Sequence, residues 1–89
     1  MSAPPAPPAE PDRTLCTLDA LPVGAHATVV AVDGQGAFRR RLLELGFLPG
    51  TAIARTGQAP LGDPLTIEVR GAVLCLREAD ARQVRVRRG

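Results

Sequence analysis

Residues 65–76 read Leu-Thr-Ile-Glu-Val-Arg-Gly-Ala-Val-Leu-Cys-Leu, and this stretch decides the fold class. Leu65, Ile67 and Val69 alternate with Thr66, Glu68 and Arg70, the period of two that gives a strand one apolar and one polar face. Gly71 turns the chain, and Leu74 and Leu76 then share a face, so the segment predicts a hairpin of two strands.

The same reasoning extends outward in both directions. Upstream, Gln58 to Pro64 holds Pro60 and Pro64, which forbid regular ladder pairing and predict a loop. Before it, the Pro49-Gly50 turn leads into a strand over about Thr51 to Thr56, with Ile53 as its core residue. His26 to Asp33 is rich in β-branched and small residues and ends at Asp33-Gly34, which predicts another strand and a turn. Gly34-Gln35-Gly36 then opens one amphipathic helix. Phe38, Leu42 and Leu45 fall at i, i+4 and i+7, and Gly46 stands where a C-terminal cap belongs. On that helix Arg40 is placed to pair with Glu44 at i+4, and Arg39 is expected to stay solvated.

Leu15, Leu18 and Leu21 recur at every third position and are followed by Pro22 and Gly24, which predicts a lead-in or a single helical turn. Downstream, Arg77 to Arg82 predicts another short turn of helix, and Val84 and Val86 alternate with arginines as a final strand. Arg82, Arg85, Arg87 and Arg88 read as a solvated strand edge, where charge discourages edge-to-edge pairing. The sum is mainly β: about five short strands and one inserted helix, arranged as a small closed or nearly closed β-barrel.

Five of the nine prolines lie within the first twelve of 89 residues. Residues 1–13 are therefore expected to be a disordered, Pro/Ala-rich, polyproline-like tail, and residues 14–89 the folded domain. At 45% hydrophobic and 22% charged the composition is that of an ordinary globular domain. Neither a run of about 20 apolar residues nor a signal peptide is present, so the expected location is the cytoplasm, without membrane insertion. Cys16 and Cys75 have no CxxC spacing and are expected to be free thiols.

The side chains argue against catalysis. The chain has no Trp, Tyr, Asn or Lys, Ser2 is its only serine and His26 its only histidine. No nucleophile has a base near it in sequence, and Gly34 and Gly36 lack the third glycine and the Lys-Ser/Thr ending of a phosphate loop. Cys16, His26, Cys75 and the scattered carboxylates show no metal-ligand spacing. Neither enzymatic activity, nor a cofactor, nor a high-affinity iron site is expected.

The run Arg41-Leu42-Leu43-Glu44-Leu45-Gly46-Phe47-Leu48-Pro49-Gly50, then Pro60-Leu61-Gly62-Asp63-Pro64-Leu65, then Gly71 to Arg77 with Ala79 and Val84 beyond, closely resembles the ferrous iron transport protein A (FeoA) family over about Leu18 to Val86. The resemblance implies an SH3-like barrel and a role beside the membrane GTPase permease called ferrous iron transport protein B, which would recruit the chain to the inner face of the membrane. SH3-like barrels lean toward protein binding. Arg39, Arg40, Phe47, Leu48, Leu61 and Asp63 are the candidate partner-binding residues, on a monomer or weak homo-oligomer. The alternative is a stand-alone regulatory or nucleic-acid-binding module related to the C-terminal domain of iron-dependent repressors. The 13-residue tail is too short for the helix-turn-helix those carry, and the two aromatics, Phe38 and Phe47, are both expected to be buried. No nucleic-acid partner is therefore expected.

Overall fold

A computed structural model describes residues 14–58, 60 and 63–89. The expected proline-rich tail, residues 1–13, lies outside them. Six strands occur where about five were expected: β1 (Leu15–Thr17), β2 (His26–Val32), β3 (Ala52–Gln58), β4 (Leu65–Val69), β5 (Ala72–Leu76) and β6 (Val84–Arg88). Helix α1 (Gly36–Glu44) is inserted between β2 and β3, and the one-turn α2 (Glu78–Ala81) between β5 and β6. All neighbours are antiparallel, in the order β1-β6-β2-β3-β4-β5. Among the described residues the sheet is open between β1 and β5. Register shifts between Val29 and Ala31 in β2 and between Arg55 and Gly57 in β3 interrupt the pairing in the middle of the sheet. Such bulges increase local bend and twist.

The hairpin at 65–76 forms as its alternation demands. Leu65, Ile67 and Val69 are buried, and Leu65 pairs with Leu76 and Ile67 with Leu74. Arg70 and Gly71 make the turn, both with positive φ. Opposite them, Val84 and Val86 of β6 are fully buried beside Val29 and Val32 of β2.

The additional strand is β1, whose Leu15, Cys16 and Thr17 pair with Arg87, Val86 and Arg85. Three residues are too few to show alternation. The threefold leucine spacing belongs to the 3-10 turn Leu18–Ala20 that follows, which eclipses residues three apart and delivers both Leu18 and Leu21 into the core. Because β1 covers one side of β6 and β2 the other, β6 is an interior strand and not the edge that its arginines suggested. Its outward charges are partly paired, Arg85 Nε lying 3.1 Å from Asp33 Oδ2.

Helix α1 ends as its sequence promised. The Gly46 amide donates to Leu43 O (3.1 Å) and the Phe47 amide to Leu42 O (3.2 Å), the double bond of a Schellman cap, with Leu42 and Phe47 packed in the core beside it. Gly46 is required twice over: its φ is +114°, and a Cβ there would lie 2.9 Å from Val69 Cγ1. The facing of the helix differs from expectation. Leu42 is buried and Leu43 half-buried, whereas Phe38 and Leu45 are exposed, so the helix is rolled toward the Leu43 side of the wheel. Arg39, expected to be solvated, holds that roll: its Nε donates to Val32 O at 3.1 Å, tying α1 to the end of β2. The Arg40–Glu44 pair does not form among the described residues. The i,i+4 pair that does form is Arg82–Glu78 on α2, at 2.7 Å.

Candidate functional site

The residues singled out from sequence fall in three places. Asp63 stands at the end of the β3–β4 loop, next to a cis Asp63–Pro64 bond. Its Oδ1 accepts a hydrogen bond from the Glu78 amide at 3.0 Å. Arg77, at the N-cap position of α2, makes no side-chain cap bond, so a carboxylate fifteen residues upstream satisfies the first free amide of that helix. The role of Asp63 here is architectural: it fastens the loop to the β5–β6 connection. Leu61 lies outside the described residues.

Phe47 is fully buried and has no surface to offer a partner. The Gly46 cap turns its side chain into the core, which corrects its assignment as a contact residue. Arg40 and Leu48 are exposed, and Arg39 is exposed but committed through Nε to the β2 carbonyl.

A surface that was not singled out runs along the outer flank of α1. Phe38, Arg41 and the C-cap residue Leu45 follow one another at i, i+3 and i+7 on one face of the helix, and Leu48 is exposed beyond the Gly46 turn, off the helix. Phe38 is 40%, Leu45 38% and Leu48 37% exposed, and Arg41 is exposed between them. Phe38, expected in the core, rests on the backbone of Gly34, where an added Cβ would lie 3.1 Å from its Cδ1. The spacing was visible in the sequence. It was obscured because the same leucines also fit an inward stripe.

A second unassigned feature is a groove of about 240 Å³ on the outer face of β1, β6 and β2, lined by Leu15, Cys16, Thr17, Val30 and Arg85. The β2 bulge lies beside Val30, which turns toward this groove between the buried Val29 and Val32. Burial pushes the Cys16 thiol up from its ordinary pKa. The Arg88 guanidinium pulls it back down, and the Asp19 carboxylate adds to the rise.

Sequence reasoning also missed Arg55, the one charged residue in the buried set, at 7% exposure. It follows Ile53 on the inward face of β3. Its Nη1 donates to Leu21 O at 2.6 Å and to Asp19 O at 3.2 Å, clamping the turn that carries Leu18 and Leu21. The alternation from Ile53 was the available signal.

Among the described residues no cluster of three or more His, Cys, Asp or Glu could hold a metal ion, and His26 is exposed at the start of β2. No described helix is long and apolar enough to cross a membrane.

Comparison with known proteins identifies the fold and the family. A Porphyromonas gingivalis protein described as an Fe(2+) transport protein A/Fe(2+) transporter FeoB fusion is 39% identical over 69 residues, 78% of this chain. The chain spans only 8% of that protein's length. The crystal structure of Stenotrophomonas maltophilia FeoA complexed with zinc, described as a prokaryotic SH3 domain protein, superposes with a TM-score of 0.72 at 35% identity, covering 80% of this chain and 88% of that one. A manganese-dependent transcriptional repressor, 16% identical with a TM-score of 0.75 over 96% of this chain and 44% of its own, shares the fold alone. The six antiparallel strands are thus those of an SH3-like domain, and the FeoA domain model matches residues 16–88, from the first strand to the last. The chain belongs to the FeoA domain family.

Proposed function

We propose that this chain is a non-enzymatic accessory of ferrous iron uptake that binds the cytoplasmic part of the ferrous iron permease, ferrous iron transport protein B, and modulates its activity or assembly. The observation that carries the reading is the Porphyromonas gingivalis relative, in which a similar domain and the transporter FeoB share one polypeptide. Joining two modules fixes a high effective concentration of one at the other, which is useful where the two act together.

The chemistry of the domain supports an indirect role. Among the described residues, charged groups are engaged in the fold, as in Arg55 with Leu21 and Asp63 with Glu78, or spread over an exposed surface. Among the described residues no side-chain pair resembles an activated nucleophile, so nucleotide hydrolysis belongs to the larger partner. Its place is the cytoplasmic face of the membrane, held there by the permease.

Co-purification of the tagged full chain with the detergent-solubilised permease tests this reading. Stoichiometric recovery of the permease is the expected result. Absence of the permease from the eluate, with the chain folded and the permease present in the input, would refute it.

A further inference from the structure

We propose that the exposed face of α1 and its C-cap, Phe38-Arg41-Leu45, is the surface by which the chain grips its permease partner, and that it takes an acidic amphipathic helix of the partner's cytoplasmic part. This rests on the accessory reading above and specifies the surface and the chemistry of its occupant.

The seam is preorganised. Phe38 is seated against Gly34, Arg39 fastens the first turns of α1 to Val32 O, and the Schellman cap at Gly46 fixes the end of the helix at Leu45. A rigid row of side chains loses little freedom on binding, which favours affinity. The row sets Phe38 and Leu45 two turns apart with Arg41 between them, an arrangement that accepts another helix laid along it.

Charge selects the kind of helix. Residues 36–50 contain Arg39, Arg40 and Arg41 against the single acid Glu44. Arg41 stands in the middle of the apolar row and makes no ion pair among the described residues. Covering the row places the Arg41 guanidinium between Phe38 and Leu45 away from water. That is tolerable only if the covering surface brings a carboxylate to it. An acidic side chain flanked by apolar ones at i±3 or i±4 meets this need.

The same feature disfavours the other occupants. A second copy laid across the seam by a two-fold axis near Arg41 brings that guanidinium toward its own counterpart, and like charges meet. A bilayer suits helices whose cations rim an apolar centre. Here the cation interrupts the apolar line.

The test uses the full chain, its Arg41→Glu and Phe38→Ser variants, and the purified cytoplasmic domain of the permease from the same organism, with binding followed by calorimetry. Both substitutions are at exposed positions, and circular dichroism checks that the fold is kept. The expected result is a loss of affinity of about tenfold or more for Arg41→Glu, a smaller loss for Phe38→Ser, and amide shifts on binding confined to residues 37–48. Equal affinity of the variants, or shifts centred elsewhere, would overturn the seam while leaving the accessory reading standing. No binding by the unaltered chain would overturn both. Arg41-dependent binding to phosphatidylglycerol vesicles without binding to the domain would overturn the protein partner in favour of lipid, and self-association lost in Arg41→Glu would overturn it in favour of a second copy.

Discussion

Arg55 offers the most exposing test of how the fold is held. Replacing it with Met keeps most of its apolar stem and removes the guanidinium. The 2.6 Å bond to Leu21 O and the 3.2 Å bond to Asp19 O are lost, leaving two carbonyls without these donors. Hydrogen bonds from a charged donor contribute about 1.5–3 kcal/mol, and the longer bond belongs at or below the bottom of that range. Releasing a cation from a site only 7% exposed offsets part of the loss, because the desolvation cost of the charge disappears with it. The net expectation is a destabilisation of about 2 kcal/mol, or roughly 8–16 °C in Tm for a domain of this size. The change is also local. The backbone bonds Gly24 N–Arg55 O and Arg55 N–Ala25 O survive the substitution, so β3 keeps its hold on residues 24 and 25 while the turn at 18–21 loses its clamp. Thermal unfolding followed by circular dichroism measures the first effect. Hydrogen exchange measures the second, with Leu21 losing protection before Val29 does. A variant as stable as the parent, with unchanged exchange at Leu21, would refute the clamp.

Other consequences follow from single contacts. Gly46→Ala is expected to cost about 2–4 kcal/mol, combining the left-handed backbone with the 2.9 Å approach to Val69, and denaturant unfolding reads it directly. Asp63→Ala removes the cap on Glu78 and is expected to cost about 1 kcal/mol, with fraying of α2 visible as faster amide exchange at residues 78–81. In a Cys75→Ser background, alkylation of Cys16 should rise with pH through a midpoint above the ordinary thiol value of about 8.5, because burial favours the neutral form. A midpoint at or below that value would contradict the burial of this side chain. By linkage, the neutral thiol adds stability that is present below the unfolded-state pKa and is lost as the pH rises above it.

The strands from β2 onward and both helices were legible because each carries a signal over several residues. Alternation marks β4, β5 and β6, and a glycine at the cap marks the end of α1. What escaped was decided by tertiary context. β1 is three residues long and exists because β6 offers it a ladder. The roll of α1 depends on one hydrogen bond from Arg39 to a carbonyl of another element, which periodicity cannot encode. Phe38 and Phe47 were both expected in the core, and only Phe47 lies there. Both are apolar residues near one short helix, and only the direction of the cap says which faces inward. The polar corner at Asp63 was read as able to accept amide hydrogen bonds, but its donor, Glu78, lies across the fold. Family membership was readable because several motifs recur in order along nearly the whole domain, whereas the contact surface has no motif of its own.

The central claim is that this small domain acts through the permease. It is tested most directly by anaerobic uptake of radiolabelled ferrous iron in cells that retain the permease but lack this chain, with restoration by the chain in trans. Reduced uptake that returns on complementation, and no further effect of the chain once the permease is also deleted, is the predicted result. Uptake unchanged by the loss of the chain, or an effect that persists without the permease, would contradict the account.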